Sequence, residues 1–327
     1  MGMGRSNSGM LQSQRGLALI TAMLVVAIAA TTATALAVGE QVWLRQAQNM
    51  ADRAQAESLR QGALNYAAIL LTRDLKVNNN NIDHLGEVWA QPIPPFPVED
   101  GVILFRVSDA QGLFNLNSLV INGAPSVNDI AMFGRLLTSL GLNPDLRNTL
   151  LDWLDTDVNL TNPGGAEDTE YLSLPQPYRT ANRPLESVDE LRLVRGFDAK
   201  TLEKLRPYVT ALPVRTTVNV NTAPDQVLAA LFVNPPVGAL KPLLDSRVGQ
   251  PFTDPANFAS RVPPGNAPQP SLYGVTTNYF LVNIDIRYGR LQRRTVALIQ
   301  RAAGKPATVL WHQLPPLQFE TDTDEET

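Results

Sequence analysis

The sequence contains no cysteine. That single absence removes disulfides, zinc–thiolate sites, iron–sulfur clusters and cysteine nucleophiles together. It leaves the compartment open, because exported proteins need no disulfide. Histidine is nearly as scarce. His84 lies in IDHLGEVWA and His312 in VLWHQLPP, so there is no material for a buried histidine metal cluster. A Ser-His-Asp triad would have to use one of these two, and neither sits in a recognisable setting. Both read as ordinary structural or surface histidines. A strong charge of one sign is also missing. Lys and Arg number 27 against 31 Asp and Glu, a net −4, which gives no field to gather nucleic acid. What the chain does have is 44% hydrophobic residues, 25 prolines and 21 glycines in 327 residues. Those values suit a folded body of about two domains with many turns.

A local absence of charge comes next. From Leu17 to Gly39 no residue is charged, and Leu17–Val38 is almost all Leu, Ala, Val, Ile and Thr. As a helix it is roughly 33 Å long, enough to cross a bilayer core. It exceeds the apolar core of a cleaved secretory signal. Arg5 and Arg15 precede it, which places the N-terminus in the cytoplasm and the body on the far side. The helical pattern continues through EQVWLRQAQNMADRAQAESLRQGALNYAAILLTRDL, with no proline and one glycine. Ala47, Met50, Ala54, Tyr66 and Leu70 form an intermittent apolar stripe there. One helix over 17–75 is expected, membrane-spanning over 17–38 and amphipathic afterwards. A plain anchor followed by a separate soluble helix fits the periodicity too.

Beyond this helix the chain changes character twice. VILFRVSDAQGLFNLNSL, residues 102–119, reads as a strand, a turn at Asp109–Gly112 and a second strand. NYFLVNIDIRYGRLQRRTVALIQR, residues 278–301, is the clearest hairpin, turning at Tyr288-Gly289-Arg290. The region between is helical. Ser126 with Asp129, and Ser187 with Glu190, make capping-box starts. Asn143-Pro144 offers a cap followed by proline at the first helical position. The expected fold is α+β, with a helical domain of hairpins inserted into an antiparallel sheet domain that hangs from the long helix.

Two motifs inside the helical region carry candidate chemistry. Between Arg147 and Arg179 there is no basic residue, and DWLDTDVNLTNPGGAEDTEY concentrates carboxylates around Gly164-Gly165. Hard oxygen ligands on a loop that can bend inward suit Ca²⁺, although the spacing is not that of an EF-hand. A solvated acidic loop fits the composition equally. A paired-carboxylate hydrolase site would need a substrate groove that nothing suggests. VNVNTAPDQVLAALF and LLDSRVGQPFTDPANF resemble helix-hairpin-helix repeats. Relatives of that motif hold DNA phosphates with backbone amides at a Gly-x-Gly turn. Here the turns are RGFD and VNPPVG, with a repelling aspartate in one and prolines without amide donors in the other. A protein-binding scaffold suits them better.

Two resemblances extend this reading. QRGLALIT, a polar leader ending in glycine before a long apolar helix, resembles the type IV pilin and pseudopilin signal. The resemblance implies cleavage between Gly16 and Leu17 by a prepilin peptidase, with methylation of Leu17. Most of that family have Glu at the fifth mature position, where this chain has Thr21. An intramembrane carboxylate needs a partner, supplied in the family by the α-amine of the neighbouring subunit. A subunit with no neighbour ahead can drop the acid. RGLALIT, HLGEVWAQP, DAQGLFNLNSL, DWLD with GAEDTEY, PYRTANRPLESVDELRLVRG, VNVNTAP and NYFLV together resemble the K-type minor pseudopilin family of the type II secretion system (general secretion pathway protein K).

The family resemblance implies a non-enzymatic subunit at the pseudopilus tip. It would start and cap assembly with I-type and J-type minor pseudopilins, the H-type minor and the major pseudopilin being further candidates. It implies an inner-membrane protein with a single span, a cytoplasmic N-terminus and a periplasmic body, and no nucleic-acid partner. It also implies structural Ca²⁺, with Asp155, Asp157, Glu167 and Asp168 as the best-placed ligands. The expected division is 1–16 leader, 17–75 helix, 76–119 with 275–313 pilin-like α/β domain, 120–274 inserted α-domain and 314–327 disordered acidic tail. A membrane-anchored helix-hairpin-helix module that binds DNA in an uptake apparatus is the alternative. Salt-dependent DNA retention separates the two.

Overall fold

The computed structural model describes residues 9–77, 82–236 and 238–314, with side chains from Leu17 in the first helix. Residues 1–8 of the leader and 315–327 of the tail lie outside these. The first helix, α1, is unbroken over Gly9–Val77. It contains no proline, and its threonines return their hydroxyls to their own helix, as Thr31 does to Ala27 O at 3.0 Å. From Leu17 to Met50 every residue is exposed. Burial begins at Ala56 and recurs at Arg60, Leu64, Ala67 and Leu71, spacings of three and four that lay one helix face on the body. Arg60 sits within that stripe because Glu57, one turn back, accepts from its Nε at 3.0 Å.

The stripe covers a five-stranded antiparallel sheet: β1 Phe96–Val98, β2 Gly101–Asp109, β3 Tyr279–Tyr288, β4 Leu291–Gln300 and β5 Thr308–Gln313, in spatial order as numbered. Alternation sets the buried face. Ile103, Phe105 and Val107 of β2, Phe280, Val282, Ile284 and Ile286 of β3, and Ala297 and Ile299 of β4 all meet α1. Trp89 closes this core edge-on to Phe280 at 5.1 Å, its indole N–H donating to Glu87 at 2.7 Å. Burial pushes the Glu87 carboxyl up to about 7. At the β3–β4 turn Tyr288 pairs with Leu291, and Gly289 takes φ +55° beside Asp52 of α1.

The second arm expected after Gly112 does not pair with β2. The neighbours of β2 are β1 and β3. Phe114, Leu116 and Leu119 are instead buried in the helical core, because the chain leaves the sheet at Asp109. It returns at Tyr279, whose carbonyl accepts from Ala110 N at 2.9 Å. The whole helical domain therefore hangs from the adjacent ends of β2 and β3. That pole is opposite the β3–β4 turn near Asp52, and so farthest from the apolar half of α1.

The helical domain has α2 Val127–Ser139, α3 Leu146–Leu154, α4 Asp168–Leu172, α5 Ala199–Leu205, α6 Asp225–Ala230, α7 Leu240–Gly249 and α8 Pro255–Arg261 around one apolar core. Two details differ from expectation. Residues Val188–Leu193 form a 3₁₀ turn, and Ser187 makes no side-chain cap bond: the Glu190 amide it would cap donates to the Ser187 carbonyl at 3.2 Å, while the Glu190 carboxylate accepts from Glu186 N at 3.1 Å. Ser126 likewise caps nothing. Its hydroxyl is spent on Asp129, which also pairs with Arg215.

The domain repeats one frame twice. Phe114–Asn115 pairs in parallel with Val209–Thr210, and Val218–Asn219 with Tyr273–Gly274. In each unit an Asn-x-Asn motif follows. Asn117 N donates to Asn115 Oδ1 at 3.1 Å, and Asn221 N to Asn219 Oδ1 at 3.0 Å. Each second asparagine then trades two hydrogen bonds with one distant peptide, Asn117 with Leu185 and Asn221 with Phe252. Buried amide side chains thus complete backbone bonding where no strand is available.

Candidate metal centre

The acidic loop leaves the C-terminal end of α3 at Asp155 and re-enters helix at α4. Its course is fixed from below. Asn148 Nδ2 donates to Pro163 O at 2.8 Å and the Thr149 hydroxyl to Gly164 O at 3.0 Å. The fully buried Asp152 accepts from Thr161 N at 3.2 Å. Gly164 takes φ +82°. At Gly165 a Cβ would stand 2.2 Å from Asp152 Oδ2 and 2.4 Å from Thr161 O, so only glycine lets the loop close this tightly. Trp153, Tyr171 and Tyr178 wall it in, with centroids 5.2 Å and 5.3 Å apart. The Tyr171 hydroxyl accepts from Arg195 N at 3.2 Å, and burial pushes its pKa up to about 12.

This folding brings Asp155, Asp157 and Glu167 together, with one carboxylate oxygen from each within 4.8 Å of the others. Asp155 and Glu167 are 4% and 5% exposed, while Asp157 faces solvent. Asp155 Oδ1 and both Glu167 oxygens are buried with no hydrogen-bond partner. Buried carboxylate oxygens without donors are costly, and each charge worsens the others. Burial first, and then Asp152, Asp155 and Asp157, push Glu167 up to about 7. Burial, then Asp157 and Asp152, push Asp155 up to about 6. Three converging hard oxygens with one open side fit a divalent ion that prefers oxygen.

Asp168 is turned elsewhere. Its carboxylate accepts from Thr180 N and the Thr180 hydroxyl, both at 3.0 Å, and pairs with Arg179 at 3.0 Å. The Thr180 amide first, then its hydroxyl and Arg179, hold its pKa below the usual range. The fourth expected ligand is thus a strut for the segment that follows α4. Asp152, which the sequence reading left out of the ligand set, supports the loop from beneath.

Two family models, both described as type II secretion system protein K, match residues 112–214 and 218–276, in register with the two units of the helical domain. The type II secretion system protein K of Pseudomonas aeruginosa is 36% identical over 302 residues, 89% of this chain and 90% of its own. The chain belongs to the type II secretion system protein K family. Protein K of Pectobacterium carotovorum is 31% identical, over 92% of this chain and 99% of the relative. The crystal structure of the GspK–GspI–GspJ complex from enterotoxigenic Escherichia coli matches with a TM-score of 0.68 and 29% identity, over 80% of this chain and 99% of that one. The long apolar helix and membership of the protein K family make this a membrane-anchored chain.

In this protein K sequence the remaining marked residues fall as follows. Gly16 and Leu17 lie inside α1. The Thr21 hydroxyl donates to Leu17 O and Ala18 O at 3.1 and 3.0 Å, so it needs nothing outside its own helix. At the RGFD turn Gly196 takes φ +87°, and Asp198 accepts from Thr201 N at 2.7 Å. An aspartate therefore covers the α5 N-terminal amides that a phosphate would use in a DNA-binding hairpin. Asp254 does the same for α8 through Asn257 N at 2.8 Å. His84 closes its own turn, its Nδ1 accepting from Gly86 N at 3.1 Å, and His312 is exposed on β5.

Proposed function

We propose that the chain is a minor pseudopilin at the tip of the type II secretion pseudopilus, an assembly protein without catalytic role that starts and caps the fibre. The observation that carries this is Thr21. A shaft subunit must bury a carboxylate at this depth and match it with the amine of the subunit ahead, whereas Thr21 is satisfied within its own helix. The helical domain at the pole farthest from the span supports the same reading, since bulk there leaves no room for a further subunit above. I-type and J-type minor pseudopilins are its partners, by likeness to the solved complex. Prepilin peptidase cuts between Gly16 and Leu17 and methylates Leu17. The N-terminus stays cytoplasmic, and the body stands in the periplasm.

Ca²⁺ is the structural cofactor in this reading, held by Asp155, Asp157 and Glu167. It neutralises the cluster and fixes the loop between α3 and α4. Asp168 holds the neighbouring turn. The test is the mass of the N-terminal peptide from membranes with and without the peptidase. A peptide beginning at methylated Leu17, lost without the enzyme, is expected. An uncleaved N-terminus in both samples would reduce residues 17–38 to a plain anchor and end the pseudopilin reading.

A further inference from the structure

The two Asn-x-Asn motifs have the same local duties but different external ones. In the first unit the Asn115 amide donates to Val214 O at 2.8 Å and the Thr216 hydroxyl at 3.3 Å. Those acceptors lie in the connector between the units. In the second, the fully buried Asn219 points out of its unit. Its amide donates to Asp83 O at 3.0 Å and to Asp109 Oδ2 at 2.8 Å. Thr222, three residues on, gives its hydroxyl to the same Asp109 oxygen at 2.7 Å. Asp109 is the last residue of β2.

Asp83 carries the connection onward. Its Oδ2 accepts from Thr277 N at 2.6 Å, just before β3, and its Oδ1 pairs with Arg301, just after β4. The other guanidinium nitrogen of Arg301 reaches Asp74, near the end of α1, at 2.5 Å. The ends of α1, β2, β3 and β4 thus converge through buried polar bonds on one amide of the VNVNTA segment. The apolar contact at the same junction is small: Ala110, Leu212, Tyr279 and Leu298 with Leu281 and Trp311 at its edge, and Ile82 set into the helical core. Domains joined by a small interface move relative to one another unless something directional holds them. Apolar contact is non-directional, whereas hydrogen bonds fix an angle.

We propose that Asn219, with Asp109, Thr222, Asp83 and Arg301, is a joint that sets the orientation of the helical domain on the sheet and on α1. VNVNTA is then a positioning motif, and the joint stands whether or not the chain works at a tip. The missing cysteines make the test clean. Spin labels go on Gln61→Cys in α1 and Val248→Cys in α7, both exposed positions, in the full chain in nanodiscs. Asn219→Ala should broaden the distance distribution at least twofold. Asn221→Ala removes an amide from the same motif, but its bonds stay within the second unit, so it should leave the distance unchanged. Thr222→Val keeps shape and carries the test if Asn219→Ala does not accumulate; a broadening smaller than that of Asn219→Ala is expected. An unchanged distribution in Asn219→Ala, or in Thr222→Val where only that variant is obtained, overturns the joint. So does equal broadening by Asn221→Ala.

Discussion

The two units of the helical domain share a frame and differ in one interval. In the second, α7 ends at Gly249 and the chain crosses to Phe252 through Gln250 and Pro251. In the first, the corresponding crossing from α3 to Leu185 takes residues 155–184, and the buried carboxylate oxygens of Asp155 and Glu167 that accept no hydrogen bond lie on that detour. The compact unit is held by rings, with Phe258 against Phe252 and Tyr273 at 5.0 and 4.9 Å. The extended one has its rings too, but it also encloses oxygens of Asp155 and Glu167 that accept no hydrogen bond among the described residues. Where a crossing is short, apolar packing suffices. Where it is long, the loop carries converging carboxylates that, in the proposed reading, an ion would have to answer.

The largest expected effect tests the compact unit. Phe258→Ala should cost about 3–5 kcal/mol, equally with calcium or with a chelator, measured by denaturant unfolding. Next is the ion. Calcium at a hundredfold excess over its Kd should stabilise by about 2.7 kcal/mol. Hydrogen exchange should place the gained protection in residues 155–182 and leave 218–276 unchanged; protection spread evenly would erase the difference between the units.

A third effect has a sign that depends on the ion. Glu167→Gln should weaken calcium binding, yet raise the stability of the cation-free protein by about 1–3 kcal/mol by removing a buried charge. The pH dependence follows the same logic. In the cation-free fold Glu167 and Asp155 titrate near 7 and 6, against ordinary values of 4.5 and 3.8. The folded state then keeps protons that the unfolded state has lost, so cation-free stability falls as pH rises from about 4 to about 7. Calcium requires the ionised forms, so its thermal stabilisation should grow over that window. A calcium effect independent of pH there would remove these two carboxylates from the site. The smallest effect belongs to Asp168→Asn, which should leave calcium affinity within about twofold while loosening Thr180.

Much of this was legible in the sequence because the signals were local. The uncharged run from Leu17 is a helix in any setting. The hairpin around Gly289 announced itself by alternation on both arms. The carboxylate loop stood out because basic residues vanish around it. What escaped depended on distant partners. Phe114 and Leu116 alternate as a strand would, yet their burial is decided by helices far along the chain. Ser187 has a cap's sequence, but the Glu190 amide that its hydroxyl would cap donates to its carbonyl. Asp168 is adjacent to Glu167, and only the fold shows that successive side chains at the start of α4 point to different neighbours. The two Asn-x-Asn motifs are visible as text, but their equivalence appears only when Leu185 and Phe252 are seen receiving the same pair of bonds.

The unbroken course of α1 has a consequence of its own. Between the last residue of the apolar run at Val38 and the first buried one at Ala56 the helix is exposed except at the half-buried Asp52. Such a rod behaves like a screw thread. Each residue in it advances the body by about 1.5 Å and turns it by about 100° around the axis. Residue count in this stretch therefore sets the compass bearing of the body as well as its height above the bilayer. Removing one residue would swing the far pole to a new azimuth while barely changing its altitude, and only a change close to whole turns would restore the original heading.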